Sequence, residues 1–147
     1  MKHLFFITSV IVLTALFSGC KAKQSAFASY SALNGEWGVV ELDGQKVNPE
    51  ETRQFLSLDM SGLIISGHTG CNRMSGKIEL NSSDKNQIRF DKIASTRMGC
   101  MDMNPEKNLL KALNNISRFE LVKEGQSVHE VFFYDADNQK MLTLRKN

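Results

Sequence analysis

A mainly β, α+β domain is predicted, a small antiparallel barrel-like meander of about seven to nine strands with one α-helix near residues 104–118. Three observations predict it. From Leu33 onward the apolar runs are short and broken by frequent Gly, Asn, Asp and Ser; several of them alternate with period two; and one segment carries apolar residues at helical spacing. The chain has 147 residues, 41% of them hydrophobic, which suits a single globular core. Lys and Arg total 18 against 16 Asp and Glu, so the net charge of +2 gives no electrostatic reason to expect a nucleic-acid partner.

The N-terminal segment is of a different kind. Lys2 and His3 precede an uncharged run of fourteen residues, Leu4 to Phe17, and small residues lead to Cys20. This is the three-part form of a secretory signal, and it is shorter than the roughly 20 apolar residues a membrane-spanning helix needs. Leu16 to Cys20, LFSGC, resembles the bacterial lipobox, which implies a signal peptide over residues 1–19 and lipidation of Cys20. The cysteine count agrees. An exported chain with three Cys has one left over, and lipidating Cys20 leaves Cys71 and Cys100 as an even pair. Lys21 to Ala32 are small and polar and read as a flexible tether, so residues 20–32 form the lipidated N-terminus and residues 33–147 the domain. Lys21 beside the lipidated position resembles enterobacterial lipoproteins sent to the outer membrane, which implies an anchored protein facing the periplasm.

Along the domain, Glu36–Leu42 is a strand followed by the Asp43-Gly44 hairpin turn. Phe55–Met60 sets Leu56, Leu58 and Met60 on one face, and Ser61-Gly62 turns it into a strand over Leu63–Ser66. Further strands are expected at Gly76–Leu80, Gln87–Phe90 and Ile93–Met98, and a closing hairpin pairs Val128–Tyr134 with Lys140–Arg145. In the helix, Asn104 is the expected N-cap, Pro105 suits the first turn, and Glu106 opposes the positive end of the helix dipole. Leu109, Leu113 and Ile116, with Leu110 beside them, form the apolar stripe.

Two segments carry most of the chemistry: ISGHTGCNRMSG, Ile65–Gly76, and ASTRMGCMDMNPEKNLLKAL, Ala94–Leu113. Together with GEWGVVELDGQ and the lipoprotein signal, they resemble the META/HslJ-like domain family of bacterial lipoproteins, named for a heat-shock protein. The resemblance covers about Leu33 to Arg145. It implies a mostly antiparallel barrel-like domain with one helix at the cell envelope, associated with stress, and no enzymatic reaction. In an oxidising compartment Cys71 and Cys100 are expected to pair, closing a loop of about thirty residues for roughly 3.6 kcal/mol in the chain-entropy model. Asn72, Arg73, Thr96 and Arg97 flank them and form a candidate binding rim for an anionic group or a partner's carboxylate. Surface arginines paired with nearby Asp or Glu are the plainer reading.

The function expected is that of a noncatalytic envelope module binding an envelope protein or small ligand, without a cofactor. HExxH, GxSxG, P-loop and dinucleotide-binding motifs are absent, CxxC is absent, and neither His68 nor His129 has a partner at a spacing that fixes catalytic geometry. Two alternatives use other residues. His68, Cys71 and Cys100 with Met74, Met98, Met101 and Met103 offer soft ligands for copper or zinc, provided the thiols stay reduced. Trp37, Phe55, Phe90, Phe132 and Phe133 would line the cavity of a lipocalin-like carrier, although small barrels usually fill their interiors with such side chains.

Overall fold

A computed structural model describes residues 26–147; the signal peptide, Cys20 and the first part of the expected tether lie outside the described residues. The elements in order are helix α1 (Ala26–Ser31), strands β1 (Gly35–Leu42) and β2 (Gln45–Lys46), helix α2 (Pro49–Thr52), β3 (Gln54–Asp59), β4 (Ile64–Thr69), β5 (Arg73–Leu80), β6 (Ile88–Ser95), helix α3 (Asn104–Asn115), β7 (Arg118–Glu124), β8 (Ser127–Tyr134) and β9 (Lys140–Lys146). They form a nine-stranded antiparallel sheet of order β6-β5-β4-β3-β1-β9-β8-β7, with β2 paired to β1. The expected curled meander with a helix is therefore the observed fold. None of the described helices is long and apolar enough to cross a membrane.

Period-two alternation explains the interior. Leu56 and Leu58 of β3, Trp37 and Val39 of β1, Val131 and Phe133 of β8, and Leu142 and Leu144 of β9 are all essentially inaccessible and meet inside the curl. The sheet's two ends touch at one corner. There Ile88 N–H donates to the Ser117 carbonyl (3.1 Å) and Phe119 N–H to that of Asn86 (2.9 Å), around a bridge between Gln87 and Arg118. Elsewhere the gap is covered by α3, which packs on β6 and β4 and buries Leu109, Ala112 and Leu113.

Four expectations are corrected. The tether expected over residues 20–32 does not include residues 26–31, because these form α1, which belongs to the packed domain. Tyr30 is buried, its ring lies 5.6 Å from that of Phe119, and its hydroxyl meets the carbonyl oxygens of Asn81, Asp84 and Gln87 at 2.8–3.2 Å. The break expected between Phe90 and Ile93 is a bulge instead. Lys92 takes a left-handed φ of 52° and the register with β5 shifts between Ser75 and Lys77, so β6 continues through it. The helix stops at Asn115 rather than at 118, because Ile116 is extended and leads into β7. Its start is also capped differently: Asn104 lies inside the helix, and the Asp102 carboxylate accepts the Asn104 N–H at 2.9 Å.

The carrier reading loses its cavity. Trp37, Phe90 and Phe133 are packed into the core, whereas Phe55 and Phe132 are only partly buried, on the outward-facing phase of β3 and β8.

Candidate functional site

The two cysteine segments meet at the end of the sheet where α3 begins. Cys71 follows β4, Cys100 lies in the loop between β6 and α3, and a disulfide joins them with their Cα atoms 6.2 Å apart. That separation lies within the usual span for a bridged pair. Gly70 turns the chain into this segment with φ +100°, a conformation that side-chain-bearing residues rarely adopt, which accounts for the glycine before Cys71.

Beneath the disulfide lies a polar cluster sealed from solvent. Asn72 has no exposed surface, and Gln54, Thr69 and Glu106 are buried with it. Glu106 Oε2 accepts from Thr69 Oγ1 (2.7 Å) and Asn72 Nδ2 (2.8 Å), and Oε1 accepts from Ser95 Oγ (3.2 Å). Burial opposes ionisation of this carboxyl. The hydrogen bonds from Thr69, Asn72 and Ser95 outweigh that cost and hold it below the ordinary carboxylate range. Asn72 Oδ1 in turn accepts from Thr96 Oγ1 (2.8 Å) and Met98 N–H (2.9 Å), while Gln54 Nε2 donates to the carbonyls of Thr69 and Pro105 (2.9 and 3.0 Å). No buried side-chain nitrogen or oxygen among the described residues lacks a partner. The cluster thus ties α3 and its preceding loop to β3, β4 and β6.

The candidate rim divides accordingly. Asn72 is a structural hub whose amide is committed within the protein. Thr96 is exposed, yet its hydroxyl is engaged by Asn72 and by the Arg73 N–H at 3.2 Å. Arg73 and Arg97 are exposed, and ion pairs are formed instead by Arg118, Lys140 and Arg145. Met98 (61% exposed) and Met101 (fully exposed) project from the same loop.

The soft-ligand set does not assemble. The bridge consumes both thiols, Met74 is in the core, and His68 Nδ1 accepts the Gly70 N–H at 3.2 Å. Among the described residues no three His, Cys, Asp or Glu side chains converge as a metal site.

Sequence reasoning missed Glu106 as a buried group. The signal was in the helix phase: Glu106 precedes Leu109 by three residues and Leu113 by seven, so it shares their inward face.

Comparisons agree with this architecture. The fold is similar to that of a protein from Burkholderia xenovorans solved by NMR, with a TM-score of 0.61 and 21% identity over 92% of this chain and 99% of that chain. It is also similar to a DUF4847 family protein from Bacteroides vulgatus ATCC 8482, with a TM-score of 0.54 and 11% identity over 78% of this chain and 94% of that one. At such identities the likeness concerns the fold alone. No curated protein matches the chain. The META domain family model matches residues 31–147, which takes in every strand, the disulfide and the buried cluster, and the chain belongs to the META domain family.

Proposed function

We propose that the protein is a noncatalytic, stress-associated lipoprotein of the bacterial envelope, held by Cys20 to a membrane, the outer membrane facing the periplasm, and binding a partner through its disulfide-held rim. The observation that carries the binding role is a loop presenting Arg97, Met98 and Met101 to solvent, with Arg73 on the adjoining strand and no carboxylate committed to either arginine. Arg and Met are enriched at protein interfaces, and a guanidinium pair suits a partner's carboxylate. The disulfide and Asn72 hold the loop in one shape, which lowers the ordering cost of binding. The signal and lipobox-like residues before Cys20 support the anchor.

The test places a photo-crosslinking residue at Met101, with a control at Gly125, in cells expressing the full chain. One discrete adduct from position 101, lost on R73A/R97A and absent from position 125, is expected. Equal labelling from both positions refutes the rim. Retention of Cys20→Ser in the membrane fraction refutes the anchor separately.

A further inference from the structure

The outer face of the sheet carries a second group of side chains, which adjoins the rim only where His68 of β4 stands opposite Arg73 of β5. Strand register lines up Arg145 of β9, Gly38 of β1, Phe55 of β3 and His68 of β4 in one row across the middle of the sheet. Little room is left above Gly38. A Cβ on it would stand 3.1 Å from Asn147 Oδ1 and 3.2 Å from Pro49 Cβ, so α2 and Asn147 close down over the row. Two open depressions of about 510 and 570 Å³ flank this point and share Gly38, Pro49 and Asn147, which makes them two bays of one trough.

Each bay has an aromatic side chain and a rim of mixed charge. In the first, the Phe55 and His68 rings stack with centroids 6.3 Å apart and planes within 11°, and both are only partly buried. Because His68 Nδ1 accepts the Gly70 N–H, the ring proton resides on Nε2, a donor. Glu36, Glu50 and Arg53 complete that bay, and Asn147 Nδ2 donates to Glu36 Oε1 at 3.1 Å. In the second bay the Lys140 ammonium lies 5.0 Å above the Phe132 ring and bonds Glu41 at 2.9 Å, while Arg145 pairs with Glu130 at 2.8 Å.

We propose that this trough binds a neutral oligosaccharide, with one sugar ring against the Phe55–His68 stack and another beside Phe132. The chemistry selects this class in three ways. A pyranose offers a flat C–H face that covers an aromatic ring. Its hydroxyls both donate and accept, so carboxylates, an imidazole N–H, a guanidinium and an amide are all usable partners. Carboxylates and cations are interleaved in both bays, so a ligand of either net charge meets like charges, whereas an uncharged polyol meets none. An extended peptide fits less well. The trough crosses β4, β3, β1, β9 and β8 in mid-sheet, where backbone groups are already paired, and the strand edge beside it is that of the two-residue β2, too short to hold a peptide strand.

The experiment titrates the purified full-length protein with cellotetraose and with N,N′,N″,N‴-tetraacetylchitotetraose, followed by calorimetry and backbone NMR. Saturable shifts centred on Phe55, His68 and Phe132, with at least one of the sugars, are expected. F55A weakens binding about tenfold, the loss of one stacked ring, and F132A weakens it less, both with unchanged thermal stability, while R97A leaves it unaltered. Absence of shifts with both sugars at millimolar concentration overturns the proposal. So does undiminished binding by the folded F55A and F132A variants, or saturation of the trough by an uncharged tetrapeptide in place of the sugars.

Discussion

Replacing Glu106 by Gln keeps the shape of a buried side chain while removing its charge, and so tests what holds α3 to the sheet. The carboxylate accepts three hydrogen bonds, from Thr69, Asn72 and Ser95. A bond to a charged group contributes about 1.5–3 kcal/mol and a neutral one about 0.5–1.5, so three bonds weakened by roughly 1 kcal/mol each cost about 3. Neutralising the site returns about 1 kcal/mol of desolvation, leaving a loss of about 2 kcal/mol and a melting temperature lower by roughly 6–10 °C. The pH dependence provides the sharper test. Glu106 is held below its ordinary value of 4.5 in the folded protein, so the unfolded chain binds its proton more readily. Its contribution is therefore complete above the unfolded carboxyl's pKa and is lost as pH falls through the lower folded value. Urea denaturation of both proteins from pH 7 to pH 3 is expected to show a gap that is widest at neutral pH and narrows below about pH 4.5. A gap independent of pH, or E106Q as stable as the parent at pH 7, refutes the assignment of an ionised, bond-stabilised carboxylate.

The disulfide and the N-terminal helix give two more expectations. The Cys71→Ser/Cys100→Ser variant, which loses a 29-residue crosslink, is expected to be less stable by up to about 3.6 kcal/mol in urea, with its faster hydrogen exchange concentrated between Thr96 and Met103. Tyr30→Phe removes the hydroxyl that meets three loop carbonyls and is expected to cost about 1–2 kcal/mol. Exchange should quicken at the Ile88 and Phe119 amides, which form the corner where the sheet's ends meet; unchanged rates there would show that α1 does not secure that corner.

The alternating strands were legible because one face of each is buried: Leu56 and Leu58, or Val131 and Phe133, register in the chain as period two. β7 was not. Ile116 continues the spacing of Leu109 and Leu113, so the helical pattern ran past the point where the backbone turns extended, and RFELVKE carries only Phe119 fully inward. The bulge at Lys92 was hidden because a left-handed lysine leaves no mark in composition. In the site, the cysteine pair was readable from the count and the expected compartment. The buried cluster was not, since Glu106, Asn72, Thr69 and Ser95 come from separate segments and polar residues ordinarily face water. Phe55 and Phe132 were offered as cavity lining, although the period-two phase of Leu56 and Leu58 already turns Phe55 outward; the register sets both on the outer face with Gly38.

The pairing of β1 with β9 has a consequence for how the chain is made. Trp37 stands opposite Lys146, more than a hundred residues along, whereas the other ladders join strands that are consecutive or next but one in the chain. A polypeptide emerging N-terminus first delivers β1 early and its second neighbour last. Trp37 and Val39 then lack half of their enclosure until the chain has emerged almost to its last strand, and the β3–β6 meander forms beside an incomplete wall. The completing step is thus the arrival of Met141, Leu142 and Leu144, and a chain truncated before them leaves an open strand edge lined with apolar side chains, a template for aggregation.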